Sequence, residues 1–208
     1  MRNRTLLTRD IKDEYTVLLM HFDESITYNE NGINFTVKGT PTISTTNAKF
    51  GKAYKSTGSG NNITSDYVIP LGGQDFTIDF WYYFPSGIGD WKFMLRMAQE
   101  NNTQNQIFVA TRGNYLYITY PNNNNHFITS ATNGQLRHVA ITYQHSTAIW
   151  KTYINGVNMM NWTSSCQRGN FNVFIAGENN MTIDELRISD GILRWTSNFT
   201  PPTEPYES

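Results

Sequence analysis

The 208-residue sequence has one cysteine, Cys166, so no intrachain disulfide can form and pairing says nothing about redox compartment. Around it stands the polar stretch Thr163-Ser164-Ser165-Cys166-Gln167-Arg168, with neither a CxxC nor a Cys/His metal spacing. Cys166 therefore reads as a small structural residue rather than a reactive thiol. No apolar run reaches the ~18 residues of a membrane span. The opening Met1-Arg2-Asn3-Arg4-Thr5-Leu6-Leu7-Thr8-Arg9-Asp10 is basic but has no apolar h-region. The expectation is a chain without a signal peptide, made in the cytoplasm. An excess of one charge is missing too: 16 basic residues against 17 acidic leave a net −1. No basic stripe is available to neutralise phosphates, which argues against nucleic acid as a partner. Gly58-Ser59-Gly60 and Gly72-Gly73 lack the Lys-Ser/Thr of a phosphate loop and read as turns. His21, His126, His138 and His145 have no G-x-S-x-G elbow to serve, so no nucleophilic triad is expected.

What is present is aromatic surface and turn chemistry. Aromatic residues make up 14% of the chain against 16% charged, the opposite balance from disorder. The length suits one sandwich whose core needs no disulfide or metal. Phe76-Thr77-Ile78-Asp79-Phe80-Trp81-Tyr82-Tyr83-Phe84 is the clearest strand, with Phe76, Ile78, Phe80, Tyr82 and Phe84 sharing one face. Others are read at Val17–Phe22, Phe93–Met97, Ile107–Thr111, Tyr115–Tyr120, Phe127–Ser130, His138–Tyr143, Ile149–Ile154, Phe171–Ala176 and Thr182–Ser189. Gly113-Asn114, Gln144-His145-Ser146-Thr147 and Asn155-Gly156 supply hairpin turns. A single helical turn is expected near Asp190 to Arg194. The pattern predicts an all-β sandwich of antiparallel sheets over residues 16–208, with residues 1–15 as an N-terminal arm that is loose or docked on a partner.

Several segments resemble the concanavalin A-like lectin/glucanase superfamily, in particular laminin G-like domains of bacteriophage structural proteins. They are Leu18-Leu19-Met20-His21-Phe22-Asp23; Phe76-Thr77-Ile78-Asp79-Phe80-Trp81; and His138-Val139-Ala140-Ile141-Thr142 with Tyr153-Ile154-Asn155-Gly156-Val157. The tail adds Ile183-Asp184-Glu185-Leu186-Arg187-Ile188-Ser189 and Arg194-Trp195-Thr196-Ser197-Asn198-Phe199-Thr200-Pro201-Pro202. The resemblance covers roughly residues 17–206. It implies a two-sheet antiparallel jelly-roll with first and last strands adjacent, but no particular ligand.

Retaining glucanases of this superfamily carry Glu-x-Asp-x-x-Glu on one strand, and the sequence has no such string. Asp184 and Glu185 are adjacent and are expected to point to opposite faces; Asp79 has no second acid on its face. The expectation is a binding or scaffolding protein rather than an enzyme. If first and last strands adjoin, Asp23 and Asp184 come near each other as calcium ligands, since the ion takes several oxygens from loops at strand ends. The alternatives for Asp184 are hydrogen bonds to loop backbone or pairing with Arg187. Sugar binding needs exposed aromatic faces flanked by amides, for which Trp91, Tyr115, Tyr117, Tyr120 and Asn123 are the candidates. Trp81, Trp150 and Trp195 read as packing residues. The functional expectation is a virion protein on capsid, collar or tail, contacting other virion proteins and host surface polysaccharide, with a homo-oligomer in keeping with phage symmetry. A stand-alone bacterial carbohydrate-binding module is the alternative, and a glycoside hydrolase stands third.

Overall fold

Alternation decides the architecture. In the strand Phe76–Tyr83, Phe76, Ile78, Phe80 and Tyr82 enter the core while Thr77, Asp79 and Trp81 face outward. The computed structural model describes residues 13–85, 91–99, 102–113, 115–120, 124–130, 134–176 and 180–207, and these contain strands and no helix. In chain order the strands are β1 Thr16–Met20, β2 Phe35–Lys38, β3 Thr42–Ser44, β4 Ala53–Lys55, β5 Asn62–Ser65, β6 Ile69–Leu71, β7 Phe76–Tyr83 and β8 Lys92–Gln99. They continue with β9 Asn102–Arg112, β10 Tyr115–Tyr120, β11 Asn124–Ser130, β12 Leu136–Gln144, β13 Ile149–Ile154, β14 Val157–Thr163, β15 Gly169–Ala176 and β16 Thr182–Asp190.

One sheet, A, runs β14-β13-β12-β7-β16-β4-β3, with β1 also on β16; the other, B, runs β11-β10-β9-β8-β15-β5-β2, with β6 also on β15. The first strand does lie beside the last, Leu19 opposite Arg187 and Met20 opposite Leu186. The two inner faces close on an aromatic-rich core. At its centre Trp150 of sheet A packs against Tyr120 of sheet B with ring centroids 4.9 Å apart, and against Tyr143 at 4.6 Å.

Asn155-Gly156 makes the expected turn between β13 and β14, with φ of 48° and 77°. Its side chains explain why the motif goes with His138. Asn155 Oδ1 accepts from His138 N at 2.9 Å, and Asn155 N donates to His138 O at 2.9 Å, so the turn clamps the start of β12. A Cβ on Gly156 would lie 1.8 Å from the Phe199 carbonyl oxygen, so the tail can cross here only over glycine.

The expected helical turn near Asp190 is not there. Strand β16 runs to Asp190, and the following backbone lies over sheet A because Thr77 takes its polar groups. Thr77 Oγ1 donates to Ile192 O at 3.0 Å and accepts from Arg194 N at 3.1 Å, bonds a helical turn would have made internally. Residues 1–12 of the expected arm lie outside the described residues. Asp13 and Tyr15 belong to the folded unit: Arg194 pairs with Asp13, and Asp190 N donates to Tyr15 O at 2.9 Å. Cys166 is buried and its thiol is pushed up to about 12 by desolvation, which keeps it protonated and unreactive near neutrality.

Candidate functional site

The outer faces of the two sheets differ. That of sheet A is roofed by the C-terminal segment. Trp195 and Phe199 stack on each other at 4.0 Å with planes 10° apart, and both meet the ring of His138 edge-on at 5.8 Å. Beneath them lies a buried polar network. Asp79 accepts from Arg187 Nε and Nη2 at 3.1 Å each and from the Tyr206 hydroxyl, and His138 Nε2 lies 3.1 Å from that hydroxyl. Burial alone would raise the Asp79 pKa, but the Arg187 and His138 charges and hydrogen bonds outweigh it and hold the carboxylate below its ordinary value.

Glu185 completes the network by way of a β-bulge. The register of β16 against β7 slips between Asp184 and Arg187, and Glu185 has φ 52°. This overturns the expected opposition of Asp184 and Glu185. The inserted residue turns Glu185 away from the core toward the tail, where Oε1 meets His21 Nδ1 at 2.8 Å and Oε2 accepts from Tyr206 N at 2.8 Å. The acids Asp79 and Glu185 are thus both fully buried and both bound to Tyr206.

The outer face of sheet B carries an aromatic platform instead. On β9, Ile107 and Val109 enter the core while Phe108, Ala110 and Arg112 point out. Tyr117 lies opposite Ala110, and Phe93 opposite Ala110 from the other side. Trp91 packs on Tyr117 with centroids 4.9 Å apart and stands edge-on to Phe108 at 6.3 Å; Phe93 meets Phe108 edge-on at 5.0 Å. The Arg112 guanidinium lies 5.7 Å from the Trp91 ring centre. Phe93 and Tyr115 remain 36% and 49% exposed at the rim. Three of the sequence candidates, Trp91, Tyr115 and Tyr117, therefore share one face.

Tyr120 is not part of it. It is fully buried against Trp150, and its hydroxyl is hydrogen-bonded to Thr152, so it serves the core and reaches no ligand. Alternation along β10 accounts for this: Leu116, Ile118 and Tyr120 share the inward face, while Tyr115 and Tyr117 share the outward one. Asn123 lies outside the described residues. Sequence reasoning missed Phe93 and Phe108: Phe108 points outward by plain alternation with Ile107 and Val109, but the outward placement of Phe93 follows from a second bulge between Phe93 and Leu95 that alternation would not show.

Asp23 and Asp184 both grip the segment before β4. Asp184 Oδ2 accepts from Lys49 N at 2.6 Å and Phe50 N at 2.9 Å; Asp23 Oδ1 accepts from Lys52 N at 2.7 Å. Lys49 then lays its ammonium 4.3 Å from the Trp81 ring centre. Of the readings for Asp184, backbone bonding is what the structure displays, while Arg187 pairs with Asp79. Among the described residues no three His, Cys, Asp or Glu side chains are grouped to hold a metal. Two carboxylates also fall short of the six to eight oxygens calcium takes.

Burial raises the Asp184 pKa to about 7, with the two amide donors opposing. The folded state therefore keeps this proton between about pH 4 and 7, where the unfolded chain has lost it, so Asp184 costs stability as pH rises through that window. Asp184→Asn retains the acceptor oxygen and removes the charge. Its melting temperature relative to the parent should climb from pH 4 to 7; a constant difference would contradict the shift.

Comparison with known proteins supports the architecture. A family profile described as "Concanavalin A-like lectin/glucanases superfamily" matches residues 56–197. No curated protein matches the sequence. Among solved structures, the botulinum neurotoxin serotype D binding domain superposes with TM-score 0.66 at 14% identity over 85% of this chain and 48% of that one. The binding domain of botulinum neurotoxin DC in complex with SialylT gives 0.64 at 16% identity, over 85% and 48%. The chain spans about half the length of those toxin domains. Domain 4 of AbnA, a GH43 extracellular arabinanase from Geobacillus stearothermophilus, in complex with arabinotriose, gives 0.65 at 18% identity, over 85% of this chain and 93% of that one. At such identities these likenesses establish the fold alone. By the profile match over most of its length and by its two-sheet antiparallel sandwich, the chain belongs to the concanavalin A-like lectin/glucanases superfamily.

Proposed function

We propose that this lectin-like domain is a non-catalytic glycan-binding module whose sugar contact is the platform of Trp91, Phe93, Tyr115 and Tyr117. The observation that carries the reading is the asymmetry of the sandwich: the tail covers sheet A, and sheet B presents packed but partly open aromatic rings. Sugar rings stack on such faces through their C–H groups, with neighbouring polar side chains selecting the hydroxyls. The solved complexes with arabinotriose and with SialylT are in keeping with it. The buried acids do not suit hydrolysis, because carboxyl groups that flank a glycosidic bond must be reachable by the sugar, and Asp79 and Glu185 are sealed under Tyr206.

Placement on a phage particle, among other virion proteins, belongs to the same proposal. It is supported by the resemblance of the closing segment Arg194 to Pro202, and a fixed copy number in purified particles would test it.

The direct test is binding of labelled protein to bacterial surface polysaccharides, with and without a calcium chelator. Trp91→Ala and Tyr117→Ala should each weaken saturable binding about tenfold, since a ring contact is worth ~1.5 kcal/mol and 1.4 kcal/mol is tenfold. Unchanged binding in both variants would remove the platform from the reading. Loss of binding on chelation would make Asp23 and Asp184 calcium ligands after all.

A further inference from the structure

A cleft of about 730 Å³ opens between the sheets at the edge away from the platform, where β1 of sheet A faces β6 of sheet B. Its floor is apolar, formed by Val17, Ile33 and Ile69. Its rim is polar and exposed, formed by Asn34, Asp66 and Tyr67. Tyr67 is 61% exposed, the most open large hydrophobic side chain of the described residues. Asp66 Oδ1 accepts from Thr36 Oγ1 at 2.7 Å, which fixes the carboxylate at the exposed rim. Neither the Tyr67 hydroxyl nor the Asn34 carboxamide has a hydrogen-bond partner among the described residues. An aromatic ring, a fixed carboxylate and a carboxamide around an apolar floor present a stacking surface with donors and acceptors at its edge.

Two alternatives are disfavoured by the local structure. A peptide adding a strand to β1 would need its free edge, but that edge is already used. Asn31 Oδ1 accepts from Leu19 N at 2.9 Å, Asn31 Nδ2 donates to Thr16 O at 3.2 Å, and Glu30 N donates to Leu19 O at 3.1 Å. Across the cleft, β6 is three residues long and interrupted by Pro70, which has no amide to give. An acidic ligand would meet Asp66 with no compensating cation, since among the described residues no Lys, Arg or His lines the cleft.

We infer that this cleft is a second saccharide site, selective for neutral sugars and independent of the platform. From β9 across β8 and β15 to β6 is three strand spacings, roughly 14 Å, so the two sites do not share side chains. One glycan strand or two neighbouring strands can then engage both, and weak single contacts combine into firm attachment to a polymer.

The test is a two-dimensional NMR titration of the full chain with neutral gluco-, xylo-, manno-, galacto- and arabino-oligosaccharides, repeated on Tyr67→Ala, Asp66→Asn and Trp91→Ala. The expected result is that at least one oligosaccharide shifts resonances in residues 31–34 and 66–70. Tyr67→Ala and Asp66→Asn should weaken that response about tenfold or more while Trp91→Ala leaves it unchanged. All three positions are exposed or half-exposed, so unchanged melting temperatures verify that the variants fold. Shifts confined to β8–β10 would overturn the second site and leave the platform standing. Shifts at the cleft with none at the platform would do the reverse. A cleft response that Trp91→Ala also removes would make the two a single site and overturn independence.

Discussion

Replacing Asp79 with alanine should destabilise the domain by about 3–5 kcal/mol, because it strands the buried Arg187 guanidinium without its counter-charge. Both Arg187 hydrogen bonds to the carboxylate are lost, and so is the acceptor of the Tyr206 hydroxyl. The loss is not confined to one ion pair. Tyr206 lies with its ring 3.8 Å from the Arg187 guanidinium, and its backbone N is held by Glu185, so the tail is fastened at the same point. Chemical denaturation at pH 7 gives the free energy, and protease cleavage near residue 200 would show whether the tail lifts first. Asp79→Asn is the informative partner: it keeps an acceptor for Tyr206 but no charge for Arg187, and should fall between parent and alanine. The pH dependence has a fixed sign. Because the folded-state pKa lies below the unfolded value of about 3.8, the Asp79 contribution is complete above that value and is lost as pH falls through the lower folded pKa. A loss under 1 kcal/mol for Asp79→Ala would mean the network is solvated rather than sealed.

Trp150→Ala should cost a similar amount, about 3–5 kcal/mol, by a different route. Trp150 is fully buried, meets Phe76 edge-on at 5.4 Å, and bridges to Tyr120 on the opposing sheet. Its indole Nε1 also donates to Ser164 O at 2.8 Å, holding the chain as it leaves β14. Truncation removes the ring, leaves a cavity between the sheets, and frees that carbonyl. Trp150→Phe restores most of the volume without the donor and should recover more than half of the loss. Thermal unfolding checks both, and equal melting temperatures for alanine and phenylalanine variants would show that packing is not the larger part.

The sandwich was legible because its strands alternate cleanly and its turns carry Gly and Asn where positive φ is needed, as at Asn155-Gly156. The segments that carried the family resemblance turn out to be one physical object. Asp79 from the second, His138 from the third, and Arg187, Trp195 and Phe199 from the closing stretch pack together over sheet A. Their spacing in sequence showed that they were special but not that they met. What escaped the sequence were the effects of bulges. An extra residue at Glu185 reversed an expected orientation, and a register shift at Phe93 added a ring to the platform. Tyr120 is a different case: it has the parity of Leu116 and Ile118, so alternation itself puts it in the core, on the face opposite Tyr115 and Tyr117. Short strands such as β3 and β6 have too few residues for any alternation to register.

The position of β16 has a consequence for how the protein is made. Of the described strands of this domain it is synthesised last, yet it lies in the interior of its sheet, hydrogen-bonded to β7, β4 and β1. Until roughly residue 190 has emerged, β7 presents a bare, strongly apolar edge and β1 has no partner strand, which is the kind of edge on which nascent chains associate. Pairing Leu18 with Ile188 closes a loop of nearly the whole domain, an expensive and slow step in chain entropy. Synthesis of this domain should therefore be governed by its C-terminal end: a chain stalled or cleaved before β16 is not a slightly smaller sandwich but an unfinished one, dependent on chaperones until the final strand threads in.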